Sequence, residues 1–280
     1  MVSLSMTSAV QATPQASSDI PRLTHAEANR LAATELERVI ALVESLAGDD
    51  WAQPTDCTEW TVRDMVAHIS GALAASASFD QFKRQMVHNP YMSEMEQIDA
   101  INRVQVEDRA DMTTDELLAE LREIGPKGLR TRQRLPWIVR NLRAPLGVLG
   151  FAPIGYLTDI IYPRDQWMHR VDICRATGKT MQVTPEHDGR MIALVMKDVA
   201  RKVNAKLNDK TVDLRLTGAL EQTYRFGKQS IPDATVTLDF FEFNRLASGR
   251  LTPEAALEHV AIMGNSATGE WFIRNTEVPY

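Results

Sequence analysis

The sequence predicts an N-terminal α-helical bundle followed by a smaller α+β domain. Three observations carry this prediction. Apolar residues recur at helical spacing through much of the first 180 residues, and the pattern turns to strict alternation within the last hundred. The chain is also 280 residues long, more than one hydrophobic core usually organises. The expected division is a flexible tail at 1–20, rich in Ser, Thr, Ala, Gln and Pro, a bundle at 21–180 and an α+β domain at 181–280.

Taken in order, the first helix starts at Thr24, which with Glu27 forms a T-x-x-E capping pattern. Leu31, Val39, Val43 and Leu46 give its apolar stripe, and Gly48 is the expected C-terminal cap. A second helix starts at Thr61, with Asp64 three residues on. Its apolar face is Val62, Met65, Val66, Ile69 and Leu73, and His68 borders that face. A third pattern begins near Thr113 and runs through Leu117 and Leu121, and a fourth ends at Gly178. Helices of this length with little strand signal read as a bundle. Thr184 and Pro185 are expected to open another helix, since proline is favoured at the first helical position. Alternation then marks half-buried strands: Val212, Leu214 and Leu216, next Tyr224 and Phe226, then Val236 and Leu238.

Composition narrows the function. The net charge of −6 argues against a general nucleic-acid binder, whose surface must neutralise phosphates. Cys57 and Cys174 are too few for a disulfide framework or a Cys-rich zinc site. Nothing near the N-terminus has the basic start and apolar run of a signal peptide. No apolar run reaches the roughly 18 residues that span a bilayer, so no stable membrane insertion is expected. A cytoplasmic protein is the default expectation. Residues 127–157 stand apart: Lys127, Arg130, Arg132, Arg134, Arg140 and Arg143 are followed by a Pro/Gly-rich apolar stretch, without an acid. This reads as a solvated helix face and a packed connection, as a cationic lid over a site for an anion, or as a membrane-surface segment.

One constellation has the spacing of chemistry. Asp165, His169 and Asp172 share one face of a helix, and a carboxylate and an imidazole one turn apart can bind the same divalent ion. His68 is the natural third ligand. Pro163 places the helix start, so Asp165 is expected in the first turn, where the helix dipole favours a carboxylate. With 37 acids and six histidines, roughly 0.8 Asp/Glu–His pairs at this spacing arise by chance, so spacing alone does not decide between a metal site and an ion pair beside a core-edge histidine. His25, His88, His187 and His259 read as structural or exposed, and both cysteines as packing residues.

Two stretches carry a more specific signal. Residues 51–68, with Trp51, Trp60, Asp64 and His68, and residues 164–173, with Arg164, Asp165, Trp167, His169 and Asp172, resemble signatures of the mycothiol-dependent maleylpyruvate isomerase-like family, part of the DinB-like helical-bundle superfamily. The resemblance covers about residues 25–180. It implies a four-helix bundle with a divalent metal, usually zinc, held by His68, Asp165 and His169. The isomerase is expected to carry Glu where this chain has Asp165. Residues 205–275, with Asp239, Phe240, Asn244, Gly249 and Gly264, resemble a sterol-carrier-like domain with an apolar groove. A C-terminal arginine is implicated in the isomerase, and Arg225, Arg245 and Arg250 are the candidates, Arg250 foremost.

These resemblances imply a metal-dependent isomerase or S-transferase that uses mycothiol as co-substrate on a small electrophile, as a monomer or homodimer. Asp172 is the expected partner orienting a ligand histidine; a surface pair with Arg175 or Lys179 is its alternative. Arg140 and Arg143 are the expected contacts to an anionic thiol or substrate. The competing readings are an apolar-ligand carrier and a metal-stabilised regulatory protein without turnover.

Overall fold

The computed structural model describes residues 13–280, and the chain divides into two compact units. Residues 22–182, together with Pro279 and Tyr280, form the first. Its helices are α1 (His25–Glu44), α2 (Val62–Ala77), α3 (Phe79–Met86), α4 (Gln97–Glu107), α5 (Thr114–Gln133), α6 (Trp137–Asn141), α7 (Ile154–Tyr156) and α8 (Tyr162–Thr177). A short strand β1 (Gln15–Ala16) precedes them in the chain, and β2 (Arg143–Pro145) and β3 (Phe151–Pro153) pair as an antiparallel hairpin between α6 and α7.

The four long helices α1, α2, α5 and α8 form the bundle: α2 and α1 each pack against both α5 and α8. Local chemistry sets their starts. Thr24, Thr61 and Thr113 each accept a hydrogen bond from the backbone N–H three residues on, and at Thr61 and Thr113 the acid at that position bonds back. Gly178 ends α8 in the left-handed conformation at φ 68°. The core is aliphatic, with Val39, Val43, Met65, Ile69, Leu117 and Leu121 all buried. At Gly128 of α5 a Cβ would lie 2.3 Å from the Leu73 carbonyl oxygen, so only glycine lets α5 approach α2 this closely.

Helix α8 does not start where Pro163 suggests. The chain is helical from Ile154, through a π-helical turn at Leu157–Ile161, into α8. The wide turn falls just before Pro163, whose missing N–H interrupts the ordinary ladder. Asp165 therefore sits within a continuing helix and not beside a free N-terminus, so the dipole argument for it lapses. Helix α1 ends at Glu44, capped at Ser45, three residues earlier than Gly48 would place it.

The second unit is residues 13–21 and 183–278. It holds α9 (Asp188–Val203), β4 (Val212–Thr217), β5 (Gln222–Phe226), β6 (Ala234–Asp239), α10 (Phe240–Ala247), α11 (Pro253–Leu257), β7 (Ala261–Gly264) and α12 (Ser266–Ile273). The sheet order is β1-β5-β4-β6-β7. The β4–β5 and β6–β7 pairs are antiparallel, while β4–β6 and β1–β5 are parallel. Along β6 the burial alternates strictly, as its sequence predicts. Asp213 of β4 is buried but sits opposite Arg225 in the register, and the two form a bidentate pair. Two expectations change here. Residues 13–20 are not a tail, since Gln15–Ala16 add an edge strand to the sheet and Ile20 is 2% exposed; residues 1–12 of the expected tail lie outside the described residues. Helix α9 begins at Asp188 and not at Pro185, because the Asp188 carboxylate accepts from the Thr184 N–H and closes a turn first.

Candidate active site

His68 comes from the second turn of α2, whose start the Thr61–Asp64 box fixes. Asp165 and His169 come from α8, one turn apart. Their donor atoms lie within 4.8 Å of one another. His68 Nε2 is 3.5 Å from one Asp165 oxygen, and His169 Nε2 is 3.1 Å from the other. The two imidazole rings stand nearly perpendicular, with centroids 5.0 Å apart. Both histidines are buried, while the Asp165 side chain remains 26% exposed, which leaves the set open to solvent on the carboxylate's side.

Asp172, fully buried, accepts a hydrogen bond from His169 Nδ1 at 3.2 Å. That contact turns His169 Nε2 toward Asp165 and fixes its tautomer. Arg175 pairs with Asp56 and Lys179 with Asp50. Cys57 Sγ lies 4.0 Å from Asp172, and Cys57, His169 and Asp172 form a second closely spaced donor group.

The electrostatics follow from this crowding. Burial alone would raise the Asp165 carboxyl, but the facing His169 and His68 rings outweigh it and hold the carboxyl well below its usual range. Burial would lower the His169 imidazole, yet Asp165 and Asp172 on either side raise it to about 9. His68 is different: neither ring nitrogen has a hydrogen-bond partner among the described residues. A buried imidazole with both nitrogens unsatisfied is costly. Two imidazole nitrogens and a carboxylate are also the donor set of a three-ligand zinc site with an open position, so the residues fit a metal.

Sequence reasoning missed three neighbours. The Trp60 ring packs on His68, tilted by 35° with centroids 4.8 Å apart, and stands 6.1 Å from the His169 ring. Its position beside Cys57, in the segment leading into α2, was the available signal. Cys57 read as a packing residue. Arg132 is buried, donates to the Ala72 carbonyl and to Ser76 Oγ, and covers the Tyr162 ring at 3.8 Å. It looked like one more cation of a solvated run.

The other expected residues have partners of their own. Arg140 pairs with Asp159, and Arg143 donates to the Phe151 carbonyl; neither bonds to His68, Asp165 or His169. Arg225 is held by Asp213 and Arg245 by Glu242, within the second unit. Arg250 follows α10 in that same unit, its N–H bonded to the Arg245 carbonyl. A cavity of about 420 Å³ lies on the opposite face of α8, lined by Arg38, Leu42, Arg170 and Cys174 among others. It contains no ligand set, and burial pushes its Cys174 thiol up to about 11, so it offers no nucleophile at neutral pH.

Fold and site together define a four-helix-bundle protein that gathers two histidines and an aspartate from two helices beside a tryptophan ring. The chain belongs to the family of the mycothiol maleylpyruvate isomerase N-terminal domain, whose profile matches residues 32–174. Among solved structures it is similar to the mycothiol-dependent maleylpyruvate isomerase, at 14% identity and a TM-score of 0.55, covering 91% of this chain and 96% of that one. A mutant of that isomerase matches over the same shares, at 13% identity and the same TM-score. At such identity the likeness shows a common fold across both units. No curated protein matches the chain.

Proposed function

We propose that this chain is a metal- and mycothiol-dependent enzyme that isomerises a small electrophilic substrate, with S-transfer as the variant of the same chemistry. The observation that carries the reading is His68, buried with both ring nitrogens unsatisfied and 3.5 Å from Asp165. His68, Asp165 and His169 would hold the ion, and two imidazoles with one carboxylate are a donor set that zinc takes. Such an ion supplies the charge that keeps a thiol sulfur as thiolate at neutral pH, ready to add to a conjugated double bond. The chain's own residues do the rest. Asp172 holds the His169 Nδ1 proton and keeps Nε2 facing the ion. Trp60 fixes the His68 ring and shields it from water. Asp165, being one methylene shorter than glutamate, keeps its carboxylate close to α8, 3.1 Å from His169 Nε2.

The test is His169→Ala in the full chain, purified without added metal. Metal content by elemental analysis should fall from about one ion per chain to none, and mycothiol binding measured by calorimetry should disappear with it. An unchanged metal stoichiometry in the variant would refute the ligand assignment.

A further inference from the structure

Four large apolar side chains lie exposed within fifteen residues: Trp137 at 72%, Ile138 at 76%, Leu142 at 59% and Phe151 at 63%. The segment that carries them contains no acid between Glu123 and Asp159, in a chain whose net charge is −6. It is also built and not loose. Helix α6 packs against α7, where a Cβ at Gly155 would come within 3.0 Å of the Arg140 carbonyl oxygen. Between those helices β2 and β3 pair from Arg143–Pro153 to Pro145–Phe151, and the Arg143 guanidinium covers the Phe151 ring at 5.6 Å. Of the segment's cations, Arg132 is buried and Arg140 is paired with Asp159. Arg130 and Arg134, one turn apart at the end of α5, are exposed and have no carboxylate partner among the described residues.

We propose that α6 and the β2–β3 hairpin, flanked by Arg130 and Arg134, form a surface that adsorbs to anionic lipid. Two features select this occupant. The charge is complementary: a cationic segment that contributes no acid of its own, on an anionic chain, is drawn to a negative surface. The shape is a short helix and a hairpin, each exposing an aromatic side chain, Trp137 and Phe151, which suits shallow burial at the headgroup boundary. No helix among the described residues is long and apolar enough to cross a membrane, so the contact is peripheral.

The experiment is cosedimentation of the full chain with phosphatidylcholine vesicles, with and without phosphatidylserine, at low and high salt. The expected result is binding that requires phosphatidylserine and is lost at high salt. Arg130→Gln/Arg134→Gln should weaken it by about 25-fold, since each cation near such a surface is worth roughly fivefold. Trp137→Ser/Ile138→Ser should weaken it at low salt while leaving metal content unchanged, which verifies the fold. Absence of binding to phosphatidylserine vesicles, or binding that both variants retain in full, overturns the proposal. If the chain instead sediments as a dimer that Trp137→Ser/Ile138→Ser converts to monomer, without lipid binding, the patch is an interface between copies and the proposal also fails.

Discussion

Helix α8 carries two buried polar clusters on opposite faces. On one face Arg170 makes a bidentate pair with Glu35 of α1 at 2.9 and 3.2 Å and donates its remaining edge to the Gln182 carbonyl. On the other, Asp165 and His169 meet His68, whose nitrogens lack hydrogen-bond partners. Both clusters place charge among buried side chains, the first fully and the second with only Asp165 partly exposed. The first has a protein partner for each part of its charge, and so it fixes how α1 and α8 pack. The second pairs Asp165 with His169 but leaves both His68 nitrogens without a hydrogen bond, a cost that a bound ion would offset. Completeness of the hydrogen bonding, and not burial, separates structure from function on this helix.

The comparison breaks most readily at the complete cluster. Replacing Glu35 by Ala strands a buried guanidinium, and the expected loss is about 3–5 kcal/mol of unfolding free energy. Urea denaturation of the metal-free chain measures it. The double replacement Glu35→Leu/Arg170→Met, which removes both charges, should recover most of that loss. A single variant no less stable than an exposed substitution would mean that the pair does not hold the helices.

Little of this contrast was legible in the sequence. The caps at Thr24, Thr61 and Thr113 and the stop at Gly178 were, because each is decided within four residues. His68, Asp165 and His169 were legible once the i, i+4 spacing was joined to two longer stretches resembling one family. Glu35 and Arg170 were not, being 135 residues apart with no local pattern to join them. The same distance hid β1, whose partner strand is encoded some 200 residues later. Helices α3 and α4 passed unnoticed because both are charged and short. The basic run misled in another way: composition counts charges without saying that Arg132 is buried while Arg130 is exposed.

The incomplete cluster should announce itself through pH. In the metal-free chain His169 is raised from its ordinary 6.5 to about 9 by Asp165 and Asp172 against the opposing effect of burial. Its contribution to stability is therefore fully present below pH 6.5 and is lost as the pH rises through 9. Asp165 is held below its ordinary 3.8, so its contribution is present above that value and is lost on acidification below it. The metal-free chain should be most stable between about pH 4 and 6.5 on account of this cluster, with a decline on the order of 3 kcal/mol toward pH 9. Metal binding must displace the His169 proton, so ion affinity should rise over the same interval. Thermal unfolding with and without chelator, from pH 5 to about 9.5, measures both trends. In His169→Ala the alkaline decline should vanish; its persistence would place the titration elsewhere.

Asp172→Asn gives the smallest expected effect and draws the finest line between the clusters. Asparagine keeps an oxygen that accepts from His169 Nδ1, so the ring stays oriented, but the negative charge that strengthens His169 as a donor is gone. Metal affinity should fall 10–100-fold, as is usual when a group behind a ligand is lost. Without that second carboxylate the His169 imidazole is also held less high, so the alkaline decline of the metal-free chain should begin at lower pH. A purely structural Asp172 predicts something different: a lower melting temperature at every pH with ion affinity intact. Competitive metal titration against a chromophoric chelator separates the two outcomes, because only a residue acting through His169 moves the affinity and the pH profile together.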